Sequence, residues 1–346
     1  MHGAKVWTVR VVYLTHEVFR RHDTGSWHPE RPARLEAAER GVYSAGLVVE
    51  THEPPPADRK LLERVHTADY VDAIEAFCRA GGGHLDPDTV ACPASWDAAL
   101  RAAGAGPAAV ELLRGSGDVT AFLAVRPPGH HALQARAMGF CLFNNVAVTA
   151  AALVADGERV AIVDWDVHHG NGTQATFADD ENVLYVSLHQ SPFYPGTGLV
   201  DEVGGPGAEG TVINVPVAAG TAGDLYRAAM ERVVGPAVSA FAPDWLLISA
   251  GYDAHELDPL AEVRLVSADY GYMASRLAEV VPAARVVVFL EGGYHLPAIT
   301  ASVAETLRGL AGRWEPGPPA PEPSPPASWE NLDVAARHVA RYWGSG

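Results

Sequence analysis

Apolar positions along the chain fall into two kinds of run. Short continuous runs occur at Val9–Leu14, Thr120–Val125, Val160–Val163, Val183–Leu188, Val212–Val215, Trp245–Ser249 and Val286–Leu290. Between them apolar residues recur at helical spacing over Arg31–Gly41, Thr67–Arg79, Ser95–Leu113, Asn145–Ala155, Leu225–Val238 and Tyr270–Val281. A strand without polar alternation must be covered on both faces, and such strands separated by helices predict a mostly parallel sheet. The expected fold class is therefore α/β, a single domain over residues 1–314 with a mostly parallel β-sheet flanked by helices. Ser95 reads as a helix cap, Gly81-Gly82-Gly83 as a helix stop and Gly235-Pro236 as a kink. From Glu315 to Ser328 the periodicity ends, because seven of these 14 residues are proline. That composition predicts an extended linker or surface wrap before a helix over Trp329–Tyr342, so residues 315–346 are expected to pack on the domain or trail from it.

Composition sharpens this picture. The chain has 346 residues and is 48% hydrophobic, enough for a large core in one α/β unit. Its net charge of −17 (25 − 42) argues against nucleic-acid and anionic membrane partners and favours cationic substrates. Cys78, Cys92 and Cys141 form neither a disulfide framework nor a Cys-x-x-Cys site, which fits a reducing, cytoplasmic setting. Met1–Arg10 lacks the apolar core of a signal peptide. No run approaches the ~18 apolar residues of a membrane span.

The chemistry-bearing residues follow the strands. Arg126-Pro127-Pro128-Gly129-His130-His131, Asp164-Trp165-Asp166-Val167-His168-His169, Ala250-Gly251-Tyr252-Asp253 and Glu291-Gly292-Gly293-Tyr294 each come after a buried-type run. Open parallel sheets bind ligands beyond the carboxyl ends of their strands, so the four clusters predict one composite site. Asp166 and His168, two residues apart on extended chain, face the same side and can share an ion. Asp253 is the third candidate ligand. An Asp-His-Asp set with an open position suits zinc, and iron or cobalt would also suit these donors. His130 and His131 are candidates for proton transfer. The Tyr294 phenol, protonated near neutral pH, can donate to an oxyanion. Phe140 and Tyr194 are candidate walls for an extended methylene chain.

Taken together these clusters resemble the histone deacetylase family of the arginase–deacetylase superfamily, and most closely its class II members and their bacterial relatives. Further matches are Met-Gly-Phe-Cys-Leu-Phe-Asn-Asn at 138–145, Gly-Asn-Gly-Thr at 170–173, Tyr-Val-Ser-Leu-His at 185–189, Phe-Tyr-Pro-Gly-Thr-Gly at 193–198 and Ser-Ala-Gly-Tyr-Asp-Ala at 249–254. The resemblance runs from about His28 to Leu310. It implies zinc-dependent hydrolysis of N-acetyl amides, such as acetyl-lysine side chains of peptides or proteins, releasing acetate and a free amine.

By the same resemblance Asp166, His168 and Asp253 hold the zinc, and His131 is the general base and acid. His130 is its electrostatic partner, oriented by Asp164, and Asn171 stands beside His131. Tyr294 polarises the acetyl carbonyl. Gly139 offers its carbonyl to the substrate amide, Phe140 and Tyr194 form the channel, Leu260 and Asp88 border its mouth, and Arg34 lines an acetate exit. Structural potassium is implied at two sites. Asp164, Asp166, His168, Ser187 and Leu188 supply the first; Phe177, Asp180 and Val183 supply the second. Gly170 stands where arginases have a second-metal carboxylate, which argues against a dinuclear site. An acetylated polyamine is the alternative substrate, although Leu260 replaces the mouth glutamate of one polyamine-selective group and Glu262 lies close by. A non-catalytic metal-holding or partner-binding module is a further alternative, but no ligand and no catalytic tyrosine is missing. Relatives occur as monomers, dimers and tetramers, so a homo-oligomer is open.

Overall fold

The computed structural model describes residues 10–117, 119–316 and 323–344. Its strands are β1 (Arg10–Leu14), β2 (Val48–His52), β3 (Gly83–His84), β4 (Val90–Ala91), β5 (Val119–Leu123), β6 (Val160–Asp164), β7 (Val183–Gln190), β8 (Val212–Val217), β9 (Trp245–Ala250) and β10 (Val286–Leu290). Eight of them form one sheet in the order β2-β1-β5-β10-β9-β6-β7-β8. Every neighbouring pair in it is parallel. β3 and β4 make a separate antiparallel hairpin. The expected α/β domain is thus present.

All residues of β5 through β10 in this sheet are buried, which is why their sequences show continuous apolar runs. β2 is the edge strand and is mostly exposed, and its Val-Val-Glu-Thr-His sequence carries no such run. It is therefore absent from the strands that the apolar pattern predicts. Helices Ser95–Leu113 and Asn145–Ala155 pack on the central strands, while helix Leu296–Leu310 packs against both Ala33–Ser44 and Ser267–Ala278.

Several boundaries move. Val9 lies outside the described residues, and β5 covers Val119–Leu123 instead of Thr120–Val125. Ser95 is the first helical residue and not the cap; its hydroxyl accepts from Cys92 N at 2.8 Å and contacts His22 Nδ1 at 2.6 Å. The helix expected over Leu225–Val238 is interrupted by a π-turn at Met230–Val234, just before Gly235-Pro236.

Residues 317–322 of the proline-rich segment lie outside the described residues. Beyond them helix Pro326–Tyr342 lies against β8. Ser328 Oγ accepts from Ala218 N at 2.8 Å, Asn331 Nδ2 donates to Pro216 O at 2.9 Å and Trp343 Nε1 donates to Gly210 O at 2.7 Å. These bonds cover a sheet edge that would otherwise be open to pairing.

The topology decides where chemistry can assemble. β5, β10, β9 and β6 are consecutive in the sheet although distant in the chain. Their carboxyl ends bring the four polar clusters side by side.

Candidate active site

Asp164 ends β6, and two Asx-type bonds shape the segment after it. Asp164 Oδ1 accepts from Asp166 N at 3.1 Å, and Asp166 Oδ1 accepts from His168 N at 2.9 Å. Asp253 comes from the loop after β9, where its Oδ1 accepts from Val167 N at 2.9 Å. The loop after β10 closes the group through Gly292 N, which donates to Asp166 Oδ2 at 2.7 Å. A side chain at Gly292 would collide with both carboxylates, so glycine is required by this close approach.

Asp166, His168 and Asp253 each offer one ligand atom, all within 4.8 Å of one another. His168 Nδ1 lies 3.0 Å from Asp166 Oδ1 and 3.2 Å from Asp253 Oδ2, and its ring stacks on Phe193 with centroids 5.1 Å apart. Asp253 Oδ2 is buried, and among the described residues no well-directed hydrogen bond reaches it beyond the His168 contact. Two buried carboxylates converging on one imidazole are strongly unfavourable unless a further cation meets them. The donor set therefore fits a divalent metal.

Above this floor lies a cavity of about 210 Å³. His130 Nδ1 faces Asp164 Oδ2 at 3.0 Å. Burial pulls the pKa of His130 down, but the carboxylates of Asp164 and Asp166 outweigh it and hold the ring up at about 10. His131 Nδ1 lies 2.8 Å from Asn171 Oδ1, while Asn171 Nδ2 points to Met138 Sδ at 3.5 Å. That amide orientation places the His131 proton on Nδ1 and leaves Nε2 bare. Burial first, and the neighbouring His130 next, push His131 well below its ordinary pKa. Burial pushes the Tyr294 phenol well above its usual value, so it stays a donor.

Aromatic rings form two of the walls. Phe140 meets the Tyr294 ring edge to face with centroids 5.9 Å apart, and Tyr194 meets His131 at 5.2 Å. Gly139 (φ 56°) and Phe140 (φ 69°) both adopt left-handed backbone. A side chain at Gly139 would strike the His131 ring. Leu260 and Asp88 also line the cavity. A larger cleft of about 940 Å³, with Arg40, Thr300 and Arg308 in its walls, contains none of the strand-end residues.

The sequence profile of the histone deacetylase domain matches residues 28–310. The chain belongs to the histone deacetylase family. It is 43% identical over 294 residues to histone deacetylase 15 of Arabidopsis thaliana, covering 82% of this chain and 53% of that protein. It is 39% identical over 295 residues to the histone deacetylase-like amidohydrolase of Pseudomonas aeruginosa, covering 82% and 77%. Among solved structures it matches the crystal structure of the HDA15 HD domain with a TM-score of 0.87, at 38% identity, over 97% of this chain and 96% of that one. Deacetylase or amidohydrolase chemistry is the activity of this family.

The remaining expected residues of this histone deacetylase fold are less directly placed. Arg34 is buried beneath Tyr294, its guanidinium 5.1 Å from the ring centroid. It donates to Gly293 O at 2.6 Å, to Glu30 Oε1 at 3.0 Å and to Glu291 O. Ser187 pairs with Asp164 across β6 and β7, and Leu188 follows it. Phe177 O accepts from Asp180 N, and Asp180 O from Val183 N, so two successive turns link these three residues.

Two further carboxylates organise the site without having been singled out. Glu291 Oε2 accepts from Gly129 N at 2.7 Å and His130 N at 3.2 Å, holding the tandem-histidine loop to the end of β10. Asp258 Oδ2 accepts from Tyr294 N at 2.6 Å and His295 N at 3.2 Å, and its Oδ1 accepts from Leu260 N at 3.1 Å. Glu291 belongs to one of the four strand-end clusters, but a bond to main-chain N–H leaves no partner residue in the sequence to mark either carboxylate's role.

Proposed function

We propose that the protein hydrolyses the N-acetyl amide of acetyl-lysine side chains in peptides or proteins, using one zinc ion held by Asp166, His168 and Asp253. The observation that carries this reading is the buried Asp166–His168–Asp253 cluster, with its ligand atoms within 4.8 Å of one another, at the floor of a narrow cavity. His131 and Tyr294 stand on the cavity walls. A bound zinc ion supplies Lewis-acid polarisation and makes water a stronger nucleophile at neutral pH.

The chain's own residues do the rest. The neutral His131 accepts a proton at Nε2 from the attacking water and then delivers it to the departing amine. Asn171 keeps the imidazole in that tautomer. His130, cationic between Asp164 and Asp166, keeps its neighbour neutral by repulsion. The Tyr294 hydroxyl donates to the acyl oxygen as charge develops there. The Gly139 carbonyl accepts the substrate amide N–H, and the Phe140 and Tyr194 rings hold the methylene chain and exclude water. Arg34 is read as the lining of the acetate exit. The two potassium sites rest on the family resemblance.

The test is turnover of an acetyl-lysine peptide together with metal analysis. The expected result is deacetylation with about one zinc per chain, loss of activity on chelation, and recovery with added zinc. Undiminished turnover after complete metal removal would overturn the reading. N-acetylputrescine assayed alongside tests the polyamine alternative. Leu260, an apolar side chain on the cavity wall, favours peptide over a second ammonium group.

A further inference from the structure

A second cavity, of about 350 Å³, opens beside the catalytic one. Its floor is apolar, made by Tyr70, Ile74, Phe77 and Leu85, and Asp86 and Arg136 stand at its edge. The catalytic reading uses none of these side chains. The floor is held firmly. Thr67 caps helix Ala68–Arg79 by accepting from Tyr70 N, Thr67 N donates to Gln134 O at 3.1 Å, and the Tyr70 hydroxyl donates to Leu142 O at 2.6 Å.

One wall is common to both cavities. In the turn 85–89, Leu85 N donates to Thr89 O at 2.8 Å, and Asp86 Oδ1 accepts from Asp88 N at 3.1 Å and Thr89 N at 2.6 Å. Leu85 and Asp86 face the second cavity, whereas Asp88 faces the first. Thr89 Oγ1 accepts from Phe140 N at 3.1 Å, so the same turn also fixes the aromatic wall of the channel.

We propose that the second cavity is a substrate subsite that takes the apolar side chain of a residue close in sequence to the acyl-lysine. This rests on the deacetylase reading and narrows its substrate class to polypeptides carrying a leucine-like or aromatic neighbour. An extended chain advances about 3.4 Å per residue, so a peptide whose acyl-lysine fills the channel passes over the turn 85–89 within about three residues. Its main chain meets the polar edge and its apolar side chain drops to the floor, the usual division of labour in such pockets. A short acylpolyamine has no group to place there.

The experiment scans a single leucine or phenylalanine through the three positions on each side of acetyl-lysine in an otherwise glycine-rich peptide. The wild type is compared with Ala73→Trp, which plugs the cavity from an exposed helical position, and with Ala76→Trp on the same helix outside the cavity. The expected result is one position at which the apolar residue raises kcat/KM about tenfold, mainly through KM. Ala73→Trp removes that gain and leaves the all-glycine peptide within about twofold; Ala76→Trp keeps the gain. Turnover that is robust but flat across the scan, or a gain that survives Ala73→Trp, overturns the subsite alone. Absence of turnover on every peptide, the all-glycine one included, overturns the deacetylase reading and the subsite with it.

Discussion

His130 and His131 are adjacent in the chain, are both buried, and have ring centroids 4.0 Å apart, yet their surroundings drive them in opposite directions. His130 belongs to the charged side of the cavity, where Asp164 and Asp166 hold it up at about 10. His131 belongs to the neutral side, where Asn171 offers an amide and burial pushes the ring well below its ordinary value. Burial alone keeps an imidazole neutral, and a carboxylate partner reverses this. The difference teaches that one motif can supply a fixed positive charge and a free base by the choice of the residues that face each ring. Anionic side chains gather where a cation is to be held, and uncharged ones where a proton is to move.

Removing a carboxylate from the charged side should have the largest effect. Asp253→Ala leaves His168 and Asp166 with one neighbour fewer, and we expect loss of bound metal and a fall in kcat of at least ~1,000-fold. Metal content and turnover are measured on the same sample. Stoichiometric zinc with near-normal turnover would show that Asp253 is no ligand. On the neutral side, His131→Ala and Tyr294→Phe should each lower kcat at least ~100-fold while metal content and thermal midpoint stay close to those of the parent. Near-normal turnover in either would break the assignment of proton transfer and carbonyl polarisation to that side.

The side chains of both sides were legible before the structure. Asp166 and His168 sit two apart beyond a buried strand, and Asp253 lies beyond another, so period and position pointed to them. The fully buried strands were legible because apolar residues fill both of their faces, as at Val286–Leu290. What stayed hidden depends on main-chain geometry. Glu291 and Asp258 bind backbone N–H groups, and a sequence records side chains only. The exposed edge strand β2 had no apolar run to mark it. The cavity at Ile74 arises where a helix meets a turn, and helical periodicity alone reads its residues as core.

A smaller effect sharpens the comparison at its pivot. Asn171→Asp gives His131 the kind of partner that His130 has, and a carboxylate stabilises imidazolium. The folded pKa of His131 then rises, so the acid limb of the kcat/KM profile, which requires the neutral ring, should move to higher pH by about one unit or more. Near pH 8 the loss should be within about tenfold. An unmoved acid limb would mean that the choice of amide over carboxylate at residue 171 does not set the base.

The smallest effect concerns a histidine with no part in the cavity. His66 is buried against Tyr70 and Phe143. Its Nδ1 faces Leu133 O at 3.0 Å, and its Nε2 accepts from Asn144 N at 2.9 Å. Only the neutral ring satisfies both bonds, and burial holds its pKa down to about 4. The unfolded chain binds a proton on this residue below about pH 6.5, whereas the folded chain does not until about pH 4. The stability this provides is therefore fully present above about 6.5 and falls as pH drops from there toward 4. His130 has the opposite sign: its contribution is complete below about 6.5 and is lost as pH rises through about 10, so it leaves the lower window undisturbed. Between pH 6.5 and 5, before most carboxylates begin to titrate, the urea midpoint should fall. His66 should contribute roughly 1–2 kcal/mol to the drop. His66→Gln, whose amide can donate and accept but not ionise in this range, should flatten part of that slope. A midpoint equally pH-dependent in His66→Gln and the parent would show that burial does not keep this imidazole neutral, and the account of His131 would lose its simplest parallel.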